Sequence, residues 1–399
     1  MNVKVTGQNL PPQSVKIASS DSILKIGFDG KRAAGNLTGL GNYSRYILEI
    51  LATYYPNNNY LVYSPKHFKK NILVKIREFP AVLIRYPKIN QLKSLWRSYT
   101  IAKDLQTDQV KIFHGLSNEI PFDLSRKGIL TVVTIHDLIF LQFPKFYPVL
   151  DRIIYKFKFK YACKNADKII AVSERTKKDI MQFFHIPENR IQVINQNCSP
   201  VFSQEMTGIK LQSIWRKYNL PEKYLLNVGT IETRKNLLLI IKTLKNLDPD
   251  IHLIVIGKET GYSLKIKKYI ADHHLADRVR FLKNVPQNDL PAIYRQAKIF
   301  IFPSRYEGFG IPIVEALQSG VPVIAASGSC LEEAGGPGSI YIHPDDDLAL
   351  TESIKLLLTN HAIREKMILE GLEFIKRFSD NAIADQIIEL YQNLKKEDA

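Results

Sequence analysis

Residues Phe302–Val323 read FPSRYEGFGIPIVEALQSGVPV, and the order of signals in this stretch decides the fold. The apolar run Ile299–Pro303 is a strand, Glu307-Gly308-Phe309-Gly310 a tight turn, Ile311–Gln318 a helix, and Pro322–Ala325 the next strand. A strand returned through a helix to another strand is the unit of a parallel sheet. Glycines in the turn let the backbone approach a ligand closely. The N–H groups of Gly310, Ile311 and Ile313 are expected to point out of the helix start, where an anion binds readily. Pro312 suits the first helical turn, whose N–H groups lack helical partners. Glu307 and Glu315 lie eight positions apart, one on the loop and one about a turn into the helix. They place acceptors on either side of that anion site, suited to sugar and ribose hydroxyls. A generic strand–turn–helix with two surface acids is the competing reading.

The same alternation extends in both directions. Upstream, Tyr224–Val228, Ile251–Ile256 and Arg278–Leu282 read as strands, with helices over Asn236–Leu244 and Asp289–Gln296. Nearer the N-terminus the strands are Ile23–Phe28, Tyr60–Tyr63, Val82–Tyr86, Lys111–His114, Thr131–Ile135 and Lys168–Val172, with a helix over Tyr43–Tyr54. The class is α/β, with doubly wound parallel sheets carrying helices on both faces. Val201–Leu220 lacks strand character and is the expected linker, and Asn381–Lys396 is a closing amphipathic helix. Ligands of such sheets bind at the carboxyl ends of the strands.

The chain has 399 residues, enough for two cores, and its balance of 45% hydrophobic and 24% charged residues is that of a globular protein. No apolar run is long enough to span a bilayer. Residues 1–22 are polar and read as a flexible extension without a signal-peptide core. Cys163, Cys198 and Cys330 are scattered, which points to a reducing compartment and a cytoplasmic protein rather than a disulfide framework. The net charge of +16 implies an anionic partner. Ser64–Thr100 holds nine Lys or Arg against Glu78, and Lys145–Lys164 holds six against Asp151, both with aromatic residues interleaved. Two readings fit: solvated faces, or peripheral attachment to an anionic membrane surface. Nucleic acid would rest on charge alone, with no recognised motif.

Taken in order, the blocks resemble a known family. Glu307 and Glu315 form the E-x7-E motif of retaining glycosyltransferase family 4. TGLGNYSR (Thr38–Arg45), HGLSNEIP (His114–Pro121), VVTIHDLIF (Val132–Phe140), ADKIIAVSERTKKDI (Ala166–Ile180) and NVGTIETRKNL (Asn227–Leu237) match other family blocks. The resemblance runs from Ile23 to Tyr391. It implies a GT-B fold, two Rossmann-like doubly wound domains facing across a cleft. The expected division is an acceptor-side domain over 23–200, a donor domain over 201–380, and a C-terminal helix over 381–399 that packs back on the first domain.

The resemblance also implies roles. Arg234 and Lys235 match the pair that grips the donor diphosphate, the guanidinium as a planar fork and the ammonium as a point charge. Glu315 resembles the ribose-binding glutamate and Glu307 the one beside the donor sugar. Gly308, Phe309, Gly310 and Ile311 supply backbone N–H groups, Gly229 lines the donor site, and Leu282 and Val285 flank the nucleotide base. Gly39 and Gly41 are expected in the loop after the first strand, facing the diphosphate; TGLGNYSR lacks the third glycine of a dinucleotide fingerprint. His136 is implied as a donor-sugar ligand near the reaction centre. The expected catalytic set is His136, Glu307, Arg234 and Lys235.

No cofactor or metal is expected. Asp248-Pro249-Asp250 is formally D-x-D but falls in a proline turn, and no nucleophile motif is evident. The implied activity is metal-independent hexosyl transfer, mannosyl first, from a GDP- or UDP-sugar to a glycan or lipid-linked glycan. Its setting would be surface polysaccharide or lipopolysaccharide assembly, in the cytoplasm or peripherally on the inner membrane face. A nucleotide-sugar epimerase and a non-catalytic scaffold of the same fold are the alternatives. VINQNCSPVF (Val193–Phe202) is where the chain departs from the family's N-G pattern.

Overall fold

The computed structural model describes residues 23–36, 39–87 and 95–397. The expected N-terminal extension, Thr38 of the glycine-rich block, and Lys88 and Lys93 of the first basic cluster lie outside them. Among the described residues thirteen strands form two sheets.

The first sheet comprises β1 Lys25–Asp29, β2 Asn59–Tyr63, β3 Val82–Arg85, β4 Ile112–Gly115, β5 Leu130–Ile135, β6 Lys168–Ala171 and β7 Ile191–Val193, in the order β3-β2-β1-β4-β5-β6-β7. Pairing is parallel at β3–β2, β2–β1, β1–β4, β4–β5 and β6–β7. Its apolar runs are buried on both faces, as a helix-covered parallel sheet requires: Ile26, Phe28, Val132, Val133, Ile169 and Ile170 are inaccessible.

The second sheet comprises β8 Tyr224–Val228, β9 His252–Ile256, β10 Val279–Leu282, β11 Ile299–Phe302, β12 Val323–Ala326 and β13 Ile340–Ile342, in the order β10-β9-β8-β11-β12-β13. All five pairings are parallel. The doubly wound α/β class is therefore observed in both sheets, and the helix over Ile311–Gln318 has the expected bounds.

The chain forms two compact units: residues up to Val133 together with those from Ala384, and Thr134–Ile383. In the first, the closing helix Asp380–Glu397 contributes its residues from Ala384 onward; the Tyr55 hydroxyl donates to Asp385, and His114 Nδ1 lies 2.6 Å from the hydroxyl of the buried Tyr391. In the second, the stretch expected as a linker is folded. It holds a short turn at Pro200–Phe202 and a helix over Gly208–Lys217, with Phe202, Ile214 and Leu220 in the core around β8 and β11.

The first basic cluster is not one face. Phe68 and Trp96 are buried, and the Arg97 guanidinium turns inward to Asp29 and Glu119, 2.6 Å from each. A buried cation pairs because leaving it alone costs several kcal/mol, about 3–5 for a broken pair.

Candidate active site

In a doubly wound sheet the ligand crevice forms where the strand order reverses. In the second sheet that point lies between β8 and β11, which pair at Leu225–Ile299 and Leu226–Phe300. Gly229 leaves the carboxyl end of β8, and the loop Pro303–Gly310 leaves the carboxyl end of β11. Gly229 and the predicted glycine turn thus emerge side by side.

Gly229 has φ +151°, a backbone state that L side chains rarely adopt, and its N–H donates to the Ile256 carbonyl at 2.8 Å. Five residues on, the short turn Thr233–Lys235 sets two cations against one acid. Glu307 Oε1 lies 2.9 Å from an Arg234 Nη and 2.5 Å from Lys235 Nζ, and accepts from Ser304 Oγ at 2.6 Å. Arg234 also contacts Glu232 at 2.5 Å and donates to the Tyr306 carbonyl. The Lys235 ammonium stands 4.8 Å above the Phe302 ring, a cation–π contact that helps to place it.

The side chains of Arg234 and Glu307 are each 12% exposed, so these charges act in a weakly screened setting. Burial pushes the Glu307 carboxyl up, but Lys235 and Arg234 outweigh it and hold the group below the usual carboxylate range. Burial likewise opposes the Arg234 charge, and Glu307 and Glu232 more than compensate. An anion already sits between the two cations. A phosphate group entering there would exchange one set of charge-assisted bonds for another.

Gly308 carries the loop past His136. A Cβ at Gly308 would fall 1.9 Å from the His136 carbonyl oxygen, so only glycine permits this approach. The Gly308 carbonyl accepts from Ser173 Oγ at 2.6 Å and Thr176 Oγ1 at 3.2 Å. His136 is buried, with Nδ1 3.0 Å from Gln196 Nε2, and its neighbour Asp137 accepts from Ile139 N at 3.1 Å. Burial raises the Asp137 carboxyl, against the Ile139 N–H and the nearby Arg234 charge. Four predicted catalytic residues, His136, Arg234, Lys235 and Glu307, are thereby gathered with Asp137 around Gly308.

The remaining expected donor residues divide. Glu315, on the helix Ile311–Gln318, accepts from the Tyr294 hydroxyl at 2.8 Å; burial pushes its carboxyl up to about 7, with Tyr294 acting in the other direction. Gly310 has φ +138° and packs against Ala334 and Leu331. The Ile313 N–H is not available to a ligand, contrary to expectation: it donates to the Gly310 carbonyl at 2.8 Å, because the helix opens with a tight i→i−3 turn. The Phe309 side chain belongs to the core, edge-on to Phe378, and its carbonyl accepts from Cys330 Sγ at 2.9 Å. Leu282 and Val285 are partly buried against the same core. Gly39 and Gly41 are not in a loop, as expected, but in the first turn of the helix Gly39–Tyr54. A Cβ at Gly41 would lie 1.9 Å from the Asn36 carbonyl oxygen, and Arg45 pins the same carbonyl at 2.8 Å.

Several residues escaped the sequence reading. Tyr306 donates to Asp179, accepts from Arg175 Nε at 3.3 Å, and stacks edge-on with Phe143. Ser173 caps its helix, accepting from Thr176 N at 3.1 Å. The divergent segment proves structural as well: Asn195 donates to Glu333 at 2.6 Å, Gln196 meets His136, and Asn197 donates to Asp380 at 2.8 Å. The D-x-D acids lie at the opposite sheet edge, where Asp250 pairs with Lys223 at 2.5 Å. Among the described residues no three His, Cys, Asp or Glu side chains are grouped to hold a metal ion.

Comparisons with known proteins agree with this geometry. A model for Glycosyltransferase Family 4 matches residues 51–196, and one for glycosyl transferases group 1 matches 213–374. The chain is similar to O-antigen chain mannosyltransferase B of Escherichia coli, 27% identical over 93% of this chain and 100% of that protein. It is also similar to the O-antigen chain mannosyltransferase RfbU of Salmonella typhimurium, 29% identical over 56% of this chain and 59% of that one. Among solved structures, a glycosyltransferase from Rickettsia africae superposes with TM-score 0.74 at 18% identity, covering 94% of this chain and 99% of that one. Anabaena HepE in complex with UDP and glucose superposes with TM-score 0.72 at 18% identity, covering 93% and 100%.

Proposed function

Because the chain belongs to the group 1, family 4 glycosyltransferases, we propose that it moves a hexose, with retention of configuration, from a nucleoside diphosphate sugar to a glycan or lipid-linked glycan in surface polysaccharide assembly. The observation that carries this reading is the Arg234–Lys235–Glu307 cluster at the carboxyl edge of β8 and β11. GDP-mannose is the first donor to test, supported by the full-length similarity to an O-antigen mannosyltransferase. The two family models meet between residues 196 and 213, which supports 200/201 as the functional boundary between acceptor and donor halves.

In this mechanism the bond between the anomeric carbon and the leaving phosphate breaks while the acceptor oxygen bonds to the same face. The acceptor proton passes to a phosphate oxygen. Arg234 and Lys235 neutralise charge growing on the diphosphate, the kind of electrostatic aid that is usually the largest single contribution. With two cations in that role, no metal ion is required. Glu315 takes the ribose hydroxyls; Gly308, Phe309, Gly310 and Ile311 offer backbone N–H groups, with Gly229 lining the donor site; Leu282 and Val285 flank the base. His136 and Glu307 face the sugar. The protein would work in the cytoplasm; among the described residues no helix is long and apolar enough to cross a membrane.

A thermal-shift panel of nucleotide sugars and free nucleotides, with and without EDTA, tests this. Binding to the native state raises Tm by mass action. One base should raise it equally in both conditions. No shift with any nucleotide contradicts the transferase reading, and a shift abolished by EDTA contradicts its metal independence.

A further inference from the structure

The helix Val149–Asn165 is apolar on two opposite faces. Its inner face is spoken for: Phe159, Ala162 and Cys163 are buried, and Phe140 packs edge-on against Tyr155 and Phe159 at ring separations of 5.8 and 5.2 Å. Its outer face is not what a solvated helix shows. Val149, Leu150, Ile153 and Phe157 expose 61–68% of their surface, and Ile154 and Phe146 are exposed beside them. Single exposed apolar side chains are ordinary, but a contiguous stripe at i, i+1, i+4, i+5 and i+8 marks an interaction surface.

The charge around the stripe chooses the occupant. Lys145, Lys156, Lys160 and Lys164 are exposed along it, and the one acid of the segment, Asp151, is half-buried. A second copy seated on this stripe through a twofold axis would set lysine against lysine. An anionic lipid surface instead meets the apolar residues with acyl chains and the lysines with headgroups.

The stripe is also tied to the candidate site. Phe140 contacts Tyr147, and Phe143 packs on Tyr306, whose carbonyl accepts from Arg234. Phe140 and Phe143 follow directly on His136 and Asp137.

We infer that the outward face of Val149–Phe157, with Lys156 and Lys160, docks on an anionic bilayer and presents the reaction centre to an acceptor anchored in that membrane. The bilayer contact stands on the exposed stripe; the acceptor clause rests on the transferase reading above. The second basic cluster is thus the membrane face.

The test is co-sedimentation of the full chain with phosphatidylglycerol vesicles and with phosphatidylcholine vesicles, without donor. Wild type should bind the anionic vesicles, more weakly as salt rises. The variant L150E/F157E should lose at least tenfold in vesicle affinity while keeping its Tm and its nucleotide-induced shift, because both side chains face solvent. K156E/K160E should lose affinity for anionic vesicles in the same way. Absence of wild-type binding, or unchanged binding by L150E/F157E, overturns the inference. So does a wild-type dimer in light scattering that L150E/F157E turns into a monomer. Intact vesicle binding with no response to any nucleotide would instead count against the transferase reading alone.

Discussion

Lys235 Nζ rests 2.5 Å from Glu307 Oε1, so a lysine expected to hold a donor phosphate is held by a carboxylate from a loop 72 positions further along the chain. The contact keeps the ammonium oriented in a largely buried place. It also makes the cation pair exchangeable, since the same oxygen meets Arg234 and Ser304. The predictions below follow from what each partner keeps when another is removed.

Arg234→Ala leaves Glu307 with Lys235 and Ser304, so folding should weaken by only about 1–3 kcal/mol. Turnover should fall roughly 100- to 1,000-fold, as for removal of a transition-state donor. Steady-state kinetics beside thermal unfolding checks this. Equal losses in both would make Arg234 a structural residue.

Glu315 gives a pH signature. Its folded-state carboxyl is raised to about 7, so the native state holds a proton that the unfolded chain has released. The contribution of Glu315 to stability is therefore fully present below the ordinary carboxylate range and is lost as pH rises toward 7. Unfolding of wild type against Glu315→Gln should show this decline in wild type and a flatter curve in the variant. Nucleotide affinity should follow the opposite course, tightening as Glu315 ionises.

Gly308→Ala should cost stability and activity together. The added methyl meets the His136 carbonyl oxygen rather than a side chain that can turn aside. A loss of about 1–3 kcal/mol is expected, with the nucleotide-induced Tm shift reduced. Unaltered kinetics would show that the loop need not approach His136.

Ser173→Ala separates capping from positioning. The lost cap costs about 1 kcal/mol. The lost bond to the Gly308 carbonyl should lower kcat further while leaving nucleotide affinity near wild type, and Ser173→Thr should restore both. A variant that loses stability alone would reduce Ser173 to a cap.

What the sequence disclosed, and what it concealed, follows from distance along the chain. The turn and helix after β11 were legible because their signals are local: apolar strand, glycine turn, proline in the first helical turn. His136, Arg234 and Lys235 came from family blocks. Ser173 and Gly308 meet across 135 positions, and no local pattern announces such a contact. The edge strands Ile191–Val193 and Ile340–Ile342 are too short for a period to register. Val201–Leu220 resembled a linker because it lacks strand character, yet Phe202, Ile214 and Leu220 fasten it to the core. The helix Val149–Asn165 was legible only as a basic, aromatic segment, since two apolar faces blur a single stripe.

The central claim is transfer, and the most direct measurement is product formation. Purified protein is incubated with GDP-mannose and a panel of UDP-sugars in the presence of lipid-linked acceptor glycans, and the new glycosidic bond is read by NMR. The account predicts that one donor releases its nucleoside diphosphate, that the product keeps the donor's anomeric configuration with EDTA present, and that the double variant R234A/K235A is inactive. Inverted configuration, an absolute need for added metal, or equal turnover by the double variant would contradict it.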